Sequence, residues 1–179
     1  MVNERESAGQ AAPGALESVR ELLNSWLIPN DSREPTDRFE SLARAQGWSA
    51  ANAALMRSLR DDLRAAVETG GADGLNSWID RLAVRPAVDA GGISYRHAGG
   101  PAGETLAVVL EAISAGTWKR VKACPDCRWV FYDSTRNGSK RWCLMYAGGP
   151  GGRACGTIAK VRRYRDRQGG ALAQDASAG

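Results

Sequence analysis

The four cysteines of this 179-residue chain all stand in one C-terminal stretch. Cys124 and Cys127 are two residues apart in the run Cys124-Pro125-Asp126-Cys127. Cys143 follows after fifteen residues and Cys155 after eleven more. Two thiolates on a tight turn, with two more within a short domain, suit a tetrahedral metal ion, and the sulfur-only set suits zinc. The one histidine, His97, lies far away in sequence, so Cys124, Cys127, Cys143 and Cys155 are the complete ligand set. Four sulfurs would close the coordination shell and leave no open position, which makes the ion structural. A thioredoxin-like redox pair would leave two cysteines over. Two disulfides, or four unpaired buried thiols, are the other readings.

The compartment bears on that choice. No apolar run approaches the length of a membrane span, and the first residues lack the basic start and apolar stretch of a secretory leader. The expectation is a cytoplasmic protein, where thiols stay reduced and metal binding outcompetes disulfides. Apolar residues make up 43% and charged residues 25%, as in soluble globular chains, and 179 residues suffice for one core plus a small appendage.

Periodicity predicts an α+β chain, mostly helical. Leu16, Val19, Leu22, Leu23, Trp26 and Leu27 recur at helical spacing over 15–28, until Pro29. A short helix is expected from about Thr36 to Gly47. Ser49 suits the N-cap of the longest helix, 50–68, with Met56, Leu59, Leu63 and Val67 inward and Arg57, Arg60, Asp61, Asp62 and Arg64 outward. Another helix is expected from Asp73. The pattern then switches to a hairpin, 85–90 and 93–98, around Gly91-Gly92, before a helix over 103–115. Trp118–Ala123 and Arg128–Asp133 read as two strands with Cys124 and Cys127 on their turn. A basic helix is expected over 156–167. The divisions are a disordered tail over 1–14, a helical domain over 15–116, the cysteine module over 117–167 and a second tail over 168–179.

Charge is divided unevenly. Between Trp118 and Arg167, 13 Lys and Arg meet three acids, while the rest of the chain is net acidic. A basic end on an acidic body points to a polyanion partner. Arg136, Asn137, Lys140, Arg141, Lys160, Arg162, Arg163, Arg165 and Arg167 are the candidate nucleic-acid contacts. On a helix from Gly156, Lys160, Arg163 and Arg167 share a face, and Val161 and Tyr164 face the cysteine hairpin. The plainer reading is a solvated basic helix that balances the acidic body or docks on it. Trp129, Phe131 and Trp142 suit either stacked bases or the miniature core of a metal module, and the core is the commoner use.

The residues around the cysteines resemble the CGNR zinc-finger family. The resemblance rests on Cys124-Pro125-Asp126-Cys127, the aromatic strand Trp129–Tyr132, the turn with Arg136-Asn137 and the pair Trp142-Cys143. In that family the last cysteine opens Cys-Gly-Asn-Arg before a basic helix. Here Cys155 and Gly156 match, while Thr157 and Ile158 stand in the places of Asn and Arg, and the glycine-rich run 148–152 precedes them. The resemblance implies one structural zinc ion, a DNA-binding finger, and an N-terminal helical domain called ABATE, linked to stress-induced transcription regulation. Val19–Trp26 resembles the opening helix of that domain.

The expected function is zinc-dependent DNA binding in transcription regulation, with the helical domain sensing or binding a partner. A protein-interaction scaffold or an RNA-binding protein is the alternative. No Ser-His-Asp set, HExxH or phosphate-loop motif is present, so no enzyme is expected. A small ligand or protein on the helical domain and a second copy of the chain are further candidate partners; a membrane is not. Metal removal should unfold the finger while the helical body persists.

Overall fold

The computed structural model describes residues 10–29, 32–144 and 154–175, the side chains of residues 73 and 167–175 excepted. Their order is α1 (Leu16–Leu23), β1 (Trp26–Leu27), β2 (Thr36–Asp37), α2 (Phe39–Ala45), α3 (Ala50–Thr69), α4 (Asp73–Arg81), β3 (Arg85–Asp89), β4 (Gly92–Arg96) and α5 (Gly100–Ser114). A 3-10 turn (Trp118–Arg120), β5 (Val121–Ala123), β6 (Val130–Tyr132) and α6 (Cys155–Asp175) complete it. The chain is α+β and about half helical, with three antiparallel pairs among the described residues, β1–β2, β3–β4 and β5–β6. No described helix is long and apolar enough to cross a membrane.

Local chemistry sets the helix ends. The Ser49 hydroxyl accepts from the Asn52 N–H at 3.3 Å at the start of α3, and Gly70, at φ +74°, closes it. α5 begins at Gly100, earlier than the spacing predicts, because Pro101 is tolerated in a first turn, where its missing N–H has no role. α6 continues to Asp175, past the expected end at 167 and into the segment read as a tail.

The core joins α1, α3 and α5. Leu23, Phe39, Leu59, Leu63, Leu106 and Val109 are fully buried in it. Val121 of β5 and Val130 of β6 belong to the same cluster, so the cysteine hairpin extends the body's core.

Three expectations fail for one reason: polar groups far apart in sequence find their partners inside this core. α1 stops at Leu23, short of Ile28, and the next residues form β1, paired with β2 where a helix was expected from Thr36. Arg64, expected outside, is only 6% exposed and donates to the carbonyls of Leu23 (2.6 Å) and Trp26 (3.0 Å), the α1 end and the β1 start. Arg60, also expected outside, is 2% exposed and grips both Asp37 carboxylate oxygens, at 2.7 and 2.9 Å. Residues 10–14, expected in a disordered tail, are ordered. Gln10 and Ala12 are buried, and the Gln10 carbonyl accepts from the Tyr132 N–H of β6 at 3.0 Å.

Candidate metal centre and its flanking cations

Two short strands carry the first two cysteines to one point. At their turn Cys124 N–H donates to Trp129 O at 2.8 Å, and Arg128 N–H donates to Cys124 O at 2.9 Å. Arg128 takes φ +60°, a region that disfavours side chains, and the body holds it there. Its carbonyl accepts from Arg64 at 3.1 Å and its guanidinium meets Glu68 at 3.3 Å. The neighbouring Cys127 carbonyl accepts from the Ile28 N–H at 2.9 Å.

The third cysteine is set by a buried carboxylate. Asp133 is 0% exposed. Its Oδ1 accepts from the Thr135 N–H and hydroxyl, and its Oδ2 from the Lys140 N–H and from Lys122 Nζ, both at 2.7 Å. Burial alone would push this acid up. The bonds from Lys122, then from Thr135 and Lys140, hold it well below the usual carboxylate range. Arg120 and Lys122 also donate to the carbonyls of Asp133, Thr135, Gly138 and Lys140, which winds the 133–140 loop around two cations. Cys143 follows this loop.

The fourth cysteine opens α6, where the helix N-terminus favours a thiolate. Gly156 follows it in close contact with Trp142. A Cβ there would stand 3.3 Å from Trp142 Cγ and Cδ1, so the first turn of α6 lies directly on the indole.

All four sulfurs converge. They lie within 4.8 Å of one another, with Cys127 and Cys143 at 3.3 Å and Cys143 and Cys155 at 3.6 Å, and none is more than 2% exposed. A disulfide needs about 2.05 Å, and none forms. Zinc–sulfur bonds of about 2.3 Å place tetrahedral sulfurs about 3.8 Å apart, which this cluster fits. Without a cation the group is in conflict. Hydrogen bonding from Cys127, then Cys143 and Cys155, pulls the Cys124 thiol down, while the bond with Cys124 pushes Cys127 and Cys143 up. A dication removes the conflict by taking all four as thiolates. Phe131 is buried in the cluster and Trp129 and Trp142 pack on it, as the core reading expects.

Residues 120–168 match the CGNR zinc finger. The cysteines of this CGNR finger hold one structural zinc ion, and with four sulfurs the shell is closed. No curated protein matches the chain. The glycine-rich run 148–152 lies outside the described residues.

The candidate nucleic-acid residues fall on two surfaces around this zinc site. Arg136, Asn137 and Arg141 are exposed on the loop; Lys140 is half-buried, its ammonium 5.4 Å from the Phe131 ring centre. Lys160, Arg162, Arg163 and Arg165 are exposed on α6, and the side chain of Arg167 lies outside the described residues. Arg162 is turned to the hairpin, 3.1 Å from Asp126. Tyr164, expected to face the hairpin, is 58% exposed.

Sequence reasoning missed the residues that seat the finger. Arg20, 3% exposed, and Asn24 both donate to the Val130 carbonyl, at 3.4 and 2.8 Å, and Asn24 accepts from the Val130 N–H at 2.7 Å. Gln10 Oε1 accepts from the Leu144 N–H at 3.0 Å. For Arg60 and Arg64 a signal existed. With Met56, Leu59, Leu63 and Val67 they complete an i, i+3, i+4, i+7, i+8 stripe, which is the core-facing pattern.

Proposed function

We propose that this protein is a transcription regulator whose zinc finger binds DNA and whose helical body senses a ligand or binds a partner. The reading places it in the cytoplasm, without catalytic activity, and takes the body as an ABATE-like domain over residues 15–116. One observation carries the DNA part. The acids of the finger hairpin and loop are consumed internally: Asp126 meets Arg33 and Arg162, and Asp133 meets Lys122. Arg136, Arg141, Lys160 and Arg165 are exposed and have no acid partner among the described residues. Cations that a fold leaves uncompensated are those that release counterions when they meet phosphates.

The self-docking alternative is served by other residues. The body meets the finger through Glu68 with Arg128 and Arg33 with Asp126, at the hairpin turn. The DNA reading is tested by titrating the zinc-loaded chain with mixed-sequence DNA at rising salt, with RNA as competitor. The expected result is binding at low salt with a steep negative salt slope. Absence of binding at low salt removes the reading and leaves the interaction scaffold, and preferential displacement by RNA reassigns the target.

A further inference from the structure

The loop before Cys143 keeps donors that the finger does not use. Lys122 Nζ draws in the carbonyls of Gly138, at 2.5 Å, and Lys140, at 3.1 Å. A trans peptide holds its N–H opposite its C=O, and every described peptide here is trans. The N–H groups of Ser139 and Arg141 are therefore turned away from the ammonium. Between them the Lys140 N–H points inward, to Asp133 Oδ2.

These two outward N–H groups, the Ser139 hydroxyl and the Arg141 guanidinium have no hydrogen-bond partner among the described residues. Ser139 and Arg141 are exposed, and the Arg141 guanidinium rests 5.9 Å from the Trp142 ring centre. The loop's one carboxylate, Asp133, is buried with four donors on it, so no acid of the loop itself competes for the same face.

We propose that the outer face of residues 139–141 is an oxyanion site that takes a backbone phosphate of a nucleic-acid strand. Two amides one residue apart, a hydroxyl and a guanidinium offer more donors than a phosphodiester's two unesterified oxygens require, and backbone amides in such turns are recurrent anion binders. The inference rests on the DNA reading and names a phosphate contact within it. It divides the labour of the finger: the loop fixes the strand through its phosphate, and α6 is left to touch the neighbouring surface. Inorganic phosphate shares the chemistry and serves as the simpler probe.

The test uses the zinc-loaded full chain, nitrogen-15 labelled, titrated first with inorganic phosphate and then with a mixed-sequence DNA duplex. The Ser139 and Arg141 amide signals should move with both and saturate with the duplex. Arg141→Gln should weaken duplex binding about tenfold at low salt and reduce the salt slope by about one. Ser139→Ala should weaken it about threefold. Each variant should still carry one zinc per chain, which separates a lost contact from a lost fold. Duplex binding with both amides unmoved and Arg141→Gln unchanged overturns the site and leaves the DNA reading standing. Amides that respond to phosphate in a chain that binds no duplex overturn the nucleic-acid strand as its source, and with it the DNA reading. Amides silent toward both probes in a chain that binds no duplex overturn both.

Discussion

The β3–β4 and β5–β6 hairpins differ in what holds them together. β3 and β4 are five residues each and pair along their whole length, yet at their far end Val88 is 82% and Ile93 61% exposed. Their tie to the body is mainly local, as where the Tyr95 hydroxyl meets the Ser114 hydroxyl at 2.6 Å. β5 and β6 are three residues each, too short to persist alone, and yet Val121, Val130 and Phe131 are buried. There the order comes from outside the strands. Four sulfurs fix one end, and Arg20, Asn24 and Arg64 take up the main chain of Val130 and Arg128. The longer hairpin rests on its own strand pairing, whereas the shorter depends on zinc and on the body.

The largest expected effect comes from removing the metal, by chelation or by Cys143→Ser. Structural zinc contributes about 10–16 kcal/mol to small modules, so β5, β6 and the first turn of α6 should lose their protected amides in hydrogen exchange. Because Val121 and Val130 lie in the body's core, the body should weaken too, its thermal midpoint falling by more than about 10 °C. The β3–β4 amides should remain at temperatures below that lowered midpoint. A body whose midpoint ignores the chelator would show that the finger is an appendage, as the sequence alone suggests.

Next comes Arg64→Met, which keeps an apolar stem but strands the carbonyls of Leu23, Trp26 and Arg128. A loss of about 3 kcal/mol is expected in urea unfolding, with lower zinc affinity in chelator competition because Arg128 is released beside Cys127. Asn24→Ala removes both bonds to Val130 and should cost about 2 kcal/mol. If either variant unfolds as wild type, the hairpin does not depend on the body.

A smaller effect depends on pH. The hydrogen bond from Arg60 holds the Asp37 carboxyl below its usual value. A depressed acid stabilises the fold above its unfolded value of about 4, and that contribution is lost as pH falls through the folded value. Stability should thus decline below about pH 4, and Arg60→Met should flatten the Asp37 part of that decline. A wild-type slope in Arg60→Met would exclude the pair as its source. The smallest effect belongs to the free hairpin: Val88→Thr and Ile93→Thr should each change stability by no more than about 0.5 kcal/mol.

These contrasts mark what could be read in the residues. The ligand set, the turn at Cys124–Cys127, the Ser49 cap and the β3–β4 hairpin all follow from short-range spacing, and all appear. What spacing could not supply was any polar group whose partner is distant in sequence. Asn24 reads as a helix residue until Val130 stands against it, and Gln10 reads as tail until β6 and Leu144 bind it. Arg64 sits in the apolar stripe, but only the fold reveals the three carbonyls that need a guanidinium there. The loop donors were hidden similarly, because the direction of the Ser139 and Arg141 amides depends on where Lys122 places its ammonium.

The Asn24–Val130 and Arg64–Arg128 contacts bear on modularity. Residues 120–168 look like a cassette that could be cut out and fused elsewhere. A graft of that segment would carry its zinc ligands yet arrive with bare strand edges, and a new host would have to offer an amide and a guanidinium at matching heights. The transferable unit is the finger together with α1 and α3, and swaps between relatives should succeed only when those helices travel with it.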